Sequence, residues 1–318
     1  MESRRIGSLE VSVLGLGCNN FGWHIDADGT QAVVDAAIDA GVTLFDTADV
    51  YGGAPGADHP TGGQPGTSEK LLSQALGGRR DSVAIATKFG ASWFGMSMGS
   101  GGSGGSGAHP DYVRSACEAS LRRLGTDRID LYQLHHPDAA VPVDDTIAAL
   151  EALRDEGKIV EFGCSNFAPD MLDGRWASVQ NELSLVHREG LEPLLDACER
   201  YGLAILPYFP LASGMLTGKF RRDEALPEGA RLSIVSDKRR GRDMSDRTFD
   251  VVESLDAFAR SRDHTLLELA LSWLAGLRCM GSVIAGATSP SQVKANADAI
   301  GWILSDEERA EVDRLTTA

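Results

Sequence analysis

The chain has 318 residues, with 30 Lys and Arg against 46 Asp and Glu, and a formal net charge of -16. That excess of carboxylates excludes general nucleic-acid binding, which needs basic surface to neutralise phosphates, but leaves room for a small anion held by a local cluster of donors. At 42% hydrophobic and 24% charged, with no apolar run near the roughly 20 residues that span a bilayer, it reads as a soluble globular protein, one large α/β barrel or two ordinary domains.

The start, Met1-Glu2-Ser3-Arg4-Arg5-Ile6-Gly7, has no apolar segment of the kind found in a secretory signal. The first expected element is a hairpin, residues 4–6 and 10–12 about Gly7-Ser8, followed by a short apolar run at 13–16. From residue 29 one rhythm recurs: an amphipathic segment, a glycine, then a short apolar run. Residues 31–40 stop at Gly41 before 42–45, and 68–76 stop at Gly77 before 83–86. Residues 111–124 stop at Gly125 before 129–134, and 144–156 at Gly157 before 159–162. A strand is expected at 178–180; then 191–201 stop at Gly202 before 204–206. A last strand falls at 280–285, and a helix over 306–315 is capped by Ser305.

The glycines suit the left-handed position that closes a helix. The runs are too short and too apolar for exposed strands and read as parallel strands covered by helices. About eight of them predict a (β/α)8 TIM barrel with an N-terminal β-hairpin. No break in composition divides residues 1–318, so one domain is expected. Three long segments, 52–66, 91–108 and 211–246, follow strands and become long loops on the C-terminal, catalytic face. Within the second, the Gly/Ser tract 99–107 reads as flexible chain.

Four polar residues stand where the strands end: Asp46, Tyr51, Lys88 and His135. An acid, a phenol, an amine and an imidazole are parts for moving a proton. A free phenol titrates near about 10, too high for easy transfer at neutrality. Lys88 is expected to lower that value, Asp46 to keep Lys88 charged, and His135 to orient a substrate oxygen. His135 and His136, as strand neighbours, are expected on opposite faces and make a poor metal pair; no metal is expected. The five cysteines, Cys18, Cys117, Cys164, Cys198 and Cys279, are scattered and lack a Cys-x-x-Cys pair, which fits reduced thiols in a cytoplasmic protein. Gly15-Leu16-Gly17-Cys18-Asn19-Asn20 lacks the third glycine of a dinucleotide fingerprint. Gly214 to Lys219 is one residue short of a P-loop, though its amides and Lys219 can cradle a pyrophosphate. Ser165, Asn166 and Gln180 suit a carboxamide, and Tyr208 a flat heterocycle.

Taken together, these segments resemble the aldo-keto reductase family. Phe45-Asp46-Thr47-Ala48-Asp49-Val50-Tyr51-Gly52 is similar to its Asp/Tyr motif, Ala86-Thr87-Lys88 to its lysine strand, and Leu131 to Asp138 to its histidine strand. The resemblance implies a carbonyl oxidoreductase with a tetrad of Asp46, Tyr51, Lys88 and His135, Tyr51 being the acid. It implies NADP(H), with NAD(H) possible. The nicotinamide end would meet Ser165, Asn166, Gln180 and Tyr208; the pyrophosphate would lie along Leu211, Gly214, Leu216 and Lys219. The adenosine end would meet Gly286, Thr288, Ser289, Gln292 and Asn296. The segment after the last strand lacks the basic residues some relatives have there, so Arg231 is a candidate for the 2′-phosphate charge. Substrate-pocket candidates are Trp23, Trp93, Phe94, His136, Phe167 and Phe209, an apolar mouth for a small carbonyl or alcohol. Some relatives serve as channel subunits, so the alternative expectation is a cofactor-binding regulator with little turnover. No nucleic-acid or membrane partner is expected, and the oligomeric state is left open.

Overall fold

The glycines at 41, 77, 125, 157 and 202 all have positive φ, and each follows a helix as the sequence rhythm requires. Gly125, at φ 61° and ψ 36°, shows why: the left-handed turn lets its N–H reach back to the Leu121 carbonyl, and a Cβ would oppose it. The computed structural model describes residues 1–53, 64–93, 96–97, 107–227, 230–233 and 236–317, without the side chains of 92, 93, 96 and 97. Residues 99–106 of the Gly/Ser tract lie outside the described residues.

A hairpin of β1 (Ser3–Ile6) and β2 (Leu9–Ser12) opens the chain. Then follow β3 (Leu14–Gly17), α1 (Ala27–Asp39), β4 (Leu44–Asp46), α2 (Thr67–Leu76) and β5 (Ala84–Phe89). Two short strands, β6 (Ser92–Trp93) and β7 (Met96–Ser97), pair with each other. Next come α3 (Pro110–Leu124), β8 (Ile129–Leu134), α4 (Val143–Asp155), β9 (Ile159–Ser165) and β10 (Ser178–Gln180). The chain ends with α5 (Leu191–Tyr201), β11 (Ala204–Ile205), α6 (Asp237–Asp243), α7 (Asp246–Arg260), α8 (Leu266–Ala275), β12 (Val283–Gly286), α9 (Pro290–Asp298) and α10 (Asp306–Thr317).

Among the described residues, eight parallel strands form one sheet in the order β11-β10-β9-β8-β5-β4-β3-β12. The two edges meet. Ile205 N donates to Cys279 O at 2.7 Å, Gly281 N to Ile205 O at 2.9 Å, and Ile284 N to Pro207 O at 3.0 Å. The sheet thus closes as the (β/α)8 TIM barrel the sequence predicts. Pro207 has no N–H to give, so the closing ladder is broken rather than continuous.

Alternation along the strands divides two cores. Phe45, Ile85 and Tyr132 join the large cluster between strands and helices. Leu44, Ala86 and Leu131, one residue away, join a small inner cluster with Ile6 and Val11 of the hairpin. The hairpin therefore plugs the barrel at the end opposite the site.

The sequence rhythm misses α6 to α9. In α8, Leu266-Leu267-Glu268-Leu269-Ala270-Leu271-Ser272-Trp273-Leu274-Ala275 is buried along most of its length, so no polar face marks its period. Thr265 and Glu268 nevertheless form a capping box at its start.

Candidate active site

Period-two geometry carries the inner rows of β4, β5 and β8 from apolar to polar. Two residues beyond Leu44, Ala86 and Leu131 stand Asp46, Lys88 and Gln133. Lys88 is fully buried, and its Nζ donates to Asp46 Oδ2 at 2.6 Å and to the Thr47 carbonyl at 3.0 Å. The other carboxylate oxygen, Oδ1, accepts from Gln180 Nε2 at 2.9 Å and Gln133 Nε2 at 3.2 Å. Asp46 is thus gripped from three other strands.

Tyr51 lies past β4, with the Lys88 ammonium 5.0 Å from its ring centroid. The His135 ring meets the Tyr51 ring edge to face at 5.8 Å. The four residues, separate in sequence, therefore converge. Burial pushes the Tyr51 phenol above its ordinary pKa; the charge and hydrogen bond of Lys88, and the charge of Arg231, pull it down without offsetting burial. The expected pull of Lys88 on the phenol is present, with burial acting against it. Burial works to lower Lys88, but Asp46 and Tyr51 together raise it, so it stays an ammonium. Burial, then the charge of Lys88 and of His136, holds His135 well below the ordinary histidine value.

His135 and His136 do not take opposite faces. Both follow Leu134, the last residue of β8, and their rings stack at 5.0 Å and 12°. Strand alternation stops where the strand stops.

Ser165, Asn166, Gln180 and Tyr208 come together beside the tetrad. Ser165 Oγ donates to the Gln180 carbonyl at 2.7 Å. Asn166 takes a left-handed φ of 62°, donates from Nδ2 to the His135 carbonyl at 2.8 Å, and accepts from the Tyr208 hydroxyl at 2.7 Å. These groups are engaged with one another, and Gln180 with Asp46.

Beyond Tyr208 the chain curls through three consecutive residues of positive φ, Ala212, Ser213 and Gly214. A Cβ at Gly214 would press on the Lys219 and Phe220 side chains. The Gly214 and Leu216 amides both donate to the Leu211 carbonyl, at 2.8 and 3.3 Å, and the Leu216 side chain is buried. These two amides hold the turn itself. Asp243 of α6 clasps the curl: its Oδ2 accepts from Ser213 Oγ at 2.8 Å, and its Oδ1 lies 3.0 Å from His187 Nε2.

At the exit of β12, Ser289 caps α9 through the Gln292 N–H, and Thr288 N donates to Gln292 Oε1 at 2.8 Å. Gly286, Thr288 and Gln292 are exposed, while Asn296 is buried in α9. Lys219, whose Nζ lies 5.2 Å from the Phe220 ring centroid, and Arg231 have no carboxylate partner among the described residues. Among the described residues, Arg231 hydrogen-bonds to the neutral Asn20 and Asn19 side chains, at 3.2 and 3.4 Å. Burial lowers it to about 10. A half-buried guanidinium hydrogen-bonded to neutral amides fits an anionic group.

Of the pocket candidates, Trp23 and His136 are half-buried. Phe167 is not at the mouth: it is 3% exposed and packs edge to face on Trp176 within the large core. Phe209 lies under two guanidiniums, Arg239 at 4.2 Å and Arg231 at 4.9 Å from its centroid. The Trp93 side chain and Phe94 lie outside the described residues.

The aldo/keto reductase family profile matches residues 13–317. The chain belongs to the aldo/keto reductase family. A probable aldo-keto reductase 1 of Glycine max is 33% identical over 96% of this chain and 85% of its own length. A probable voltage-gated potassium channel subunit beta of Oryza sativa subsp. japonica is 30% identical over 95% and 92%. In structure, a glycerol dehydrogenase from Gluconobacter oxydans superposes with a TM-score of 0.81 at 28% identity, covering 98% of this chain and 94% of that one.

Aldo-keto reductases are oxidoreductases that use nicotinamide cofactors, and the converged Asp46, Tyr51, Lys88 and His135 suit that chemistry. Gln133, Asn20 and Asp243 are site residues that sequence reasoning missed. Gln133 had a signal: it shares strand parity with Leu131 of the inner face. Asn20 and Asp243 had none, because each acts through a partner remote in sequence.

Proposed function

We propose that this aldo-keto reductase is a carbonyl oxidoreductase, interconverting an aldehyde or ketone with its alcohol. The observation that supports it most is the buried Lys88–Asp46 pair set against the Tyr51 phenol, with His135 facing the same ring. A bound reduced nicotinamide would supply the hydride for the carbonyl carbon, becoming oxidised. Tyr51 gives its phenolic proton to the oxygen, and Lys88 stabilises the phenolate left behind. Asp46 keeps Lys88 charged in a dry site. His135, neutral near pH 7, holds the carbonyl oxygen through an N–H.

NADP(H) is the preferred cofactor in this reading, with NAD(H) a possible second. Ser165, Asn166 and Gln180 would hold the nicotinamide end, with Tyr208 beneath its ring. Leu211, Gly214, Leu216 and Lys219 would frame the phosphates, with Arg231 supplying charge. Gly286, Thr288, Ser289, Gln292 and Asn296 would take the adenosine. Lys219 and Arg231, which have no carboxylate partner among the described residues, support this assignment. The resemblance to a chain named for glycerol extends the substrate range to small polyols and their carbonyls. Five free cysteines, four of them buried, fit a reducing compartment such as the cytoplasm.

Fluorescence titration with NADPH and NADH tests the cofactor, and NADPH oxidation across a carbonyl panel tests the reaction. Tight binding with turnover is the expected result. The similarity to a chain named as a channel subunit supports a second reading, a cofactor-binding regulator. Persistent NADPH binding, no turnover on any carbonyl and a stable protein partner would favour it.

A further inference from the structure

The stacked pair His135 and His136 leaves one imidazole without a task. His136 is half-buried and makes no hydrogen bond or ion pair among the described residues; its ring stacks on His135. Nδ1 of each ring is sealed from solvent with no partner. A sealed N–H without an acceptor is rarer than a sealed lone pair, so the proton belongs on Nε2 of each ring. Nε2 of neither ring is among the sealed, unpartnered atoms of the described residues. Two parallel rings therefore offer two N–H donors side by side, one already assigned to the carbonyl oxygen.

We propose that His136 is a specificity-determining residue that donates to a hydroxyl beside the reacting carbonyl, so that the site takes hydroxylated aldehydes and ketones, and the matching polyols, over plain alkyl ones. This rests on the carbonyl oxidoreductase reading above. A substrate with only an alkyl group there strands the His136 N–H in a cleft emptied of water, and an unpaired donor carries its full desolvation cost. A hydroxyl satisfies it. Burial lowers the His136 pKa, and burial with the Lys88 charge does so for His135, so both rings are neutral near pH 7. A neutral donor selects a hydroxyl and gives a carboxylate no ion pair. The reading also replaces the apolar mouth expected from sequence with one polar position beside the carbonyl.

The test compares matched substrates that differ by hydroxyls: hydroxyacetone with acetone, and glyceraldehyde with propanal. kcat/KM with NADPH is measured for the native protein, for His136→Phe, which keeps a stacking ring without the N–H, and for His136→Gln, which keeps a donor. Each ratio is taken within one preparation, so loss of folded protein cancels. The ratio of hydroxylated to plain substrate should fall about tenfold in His136→Phe, the worth of one hydrogen bond, and be partly retained in His136→Gln. An unchanged ratio in His136→Phe overturns the proposal while leaving the oxidoreductase reading intact. Loss of all four activities in both variants also overturns it, since His136 would then serve the chemistry or the fold. If the native protein binds NADPH and turns over none of the four or any other carbonyl, the functional reading falls and this proposal with it.

Discussion

Lys88 Nζ lies 2.6 Å from Asp46 Oδ2 with both side chains out of solvent. Two charges so placed are stable only as a pair. Asp46→Asn or Lys88→Met alone strands the other charge, at a cost of roughly 3–5 kcal/mol. Urea denaturation should show that loss in each single variant. The double variant should be less destabilised than the sum of the two by about 0.5–3 kcal/mol, because no lone charge remains. Strict additivity would mean that the pair does not interact.

Tyr51→Phe should lower kcat for carbonyl reduction by about 10²–10⁴, the usual worth of a positioned acid, with NADPH affinity retained in fluorescence titration. A variant that reduces the same substrate at the native rate removes Tyr51 from the role of acid. Because burial raises the phenol, reduction by the native protein should persist up to pH about 10, the free phenol value, and decline only above it. Stopped-flow rates across pH check this.

Asp49 gives a pH dependence of stability. Burial and the Glu69 charge raise its carboxyl to about 7, against the opposing pull of Arg123, the Tyr112 hydroxyl and Lys88. Unfolded, it titrates near about 4, so between those values the native state keeps a proton that the unfolded chain has released. Its contribution to stability is therefore greatest on the acid side and is lost as pH rises from about 4 through 7. In Asp49→Asn the melting temperature should fall less steeply over that window than in the native protein. An identical slope would assign the effect elsewhere.

Arg231→Gln should weaken NADPH binding by roughly 10–100-fold, the range of a charge-assisted hydrogen bond of about 1.5–3 kcal/mol. NADH should lose less if Arg231 meets the 2′-phosphate, and equally if it meets the shared pyrophosphate. Unchanged binding of both would detach Arg231 from the cofactor.

The barrel was legible from local features. A glycine that ends a helix and an apolar run that ends at a polar residue are properties of a few neighbouring positions, and they located Asp46, Lys88 and His135 at strand exits. The boundaries were less legible: β5 and β9 run past their apolar stretches to include Lys88 and Ser165, because backbone pairing continues where hydrophobicity stops. Buried helix α8 left no periodic trace, since a segment that is apolar on most faces has no pattern to read.

What the sequence by itself determined, then, was the alternation of elements and the kinds of side chain offered at the barrel mouth. Tertiary structure decided which of them meet. It set Gln133 and Gln180 on Asp46, folded Asn20 and Arg231 toward one another, clasped Ser213 with Asp243, and stacked His136 on His135. It also buried the Tyr51 phenol beside Lys88. The reason is the same throughout: periodicity is encoded over a few residues, whereas burial and electrostatics are set by side chains that the chain brings together only when the sheet closes.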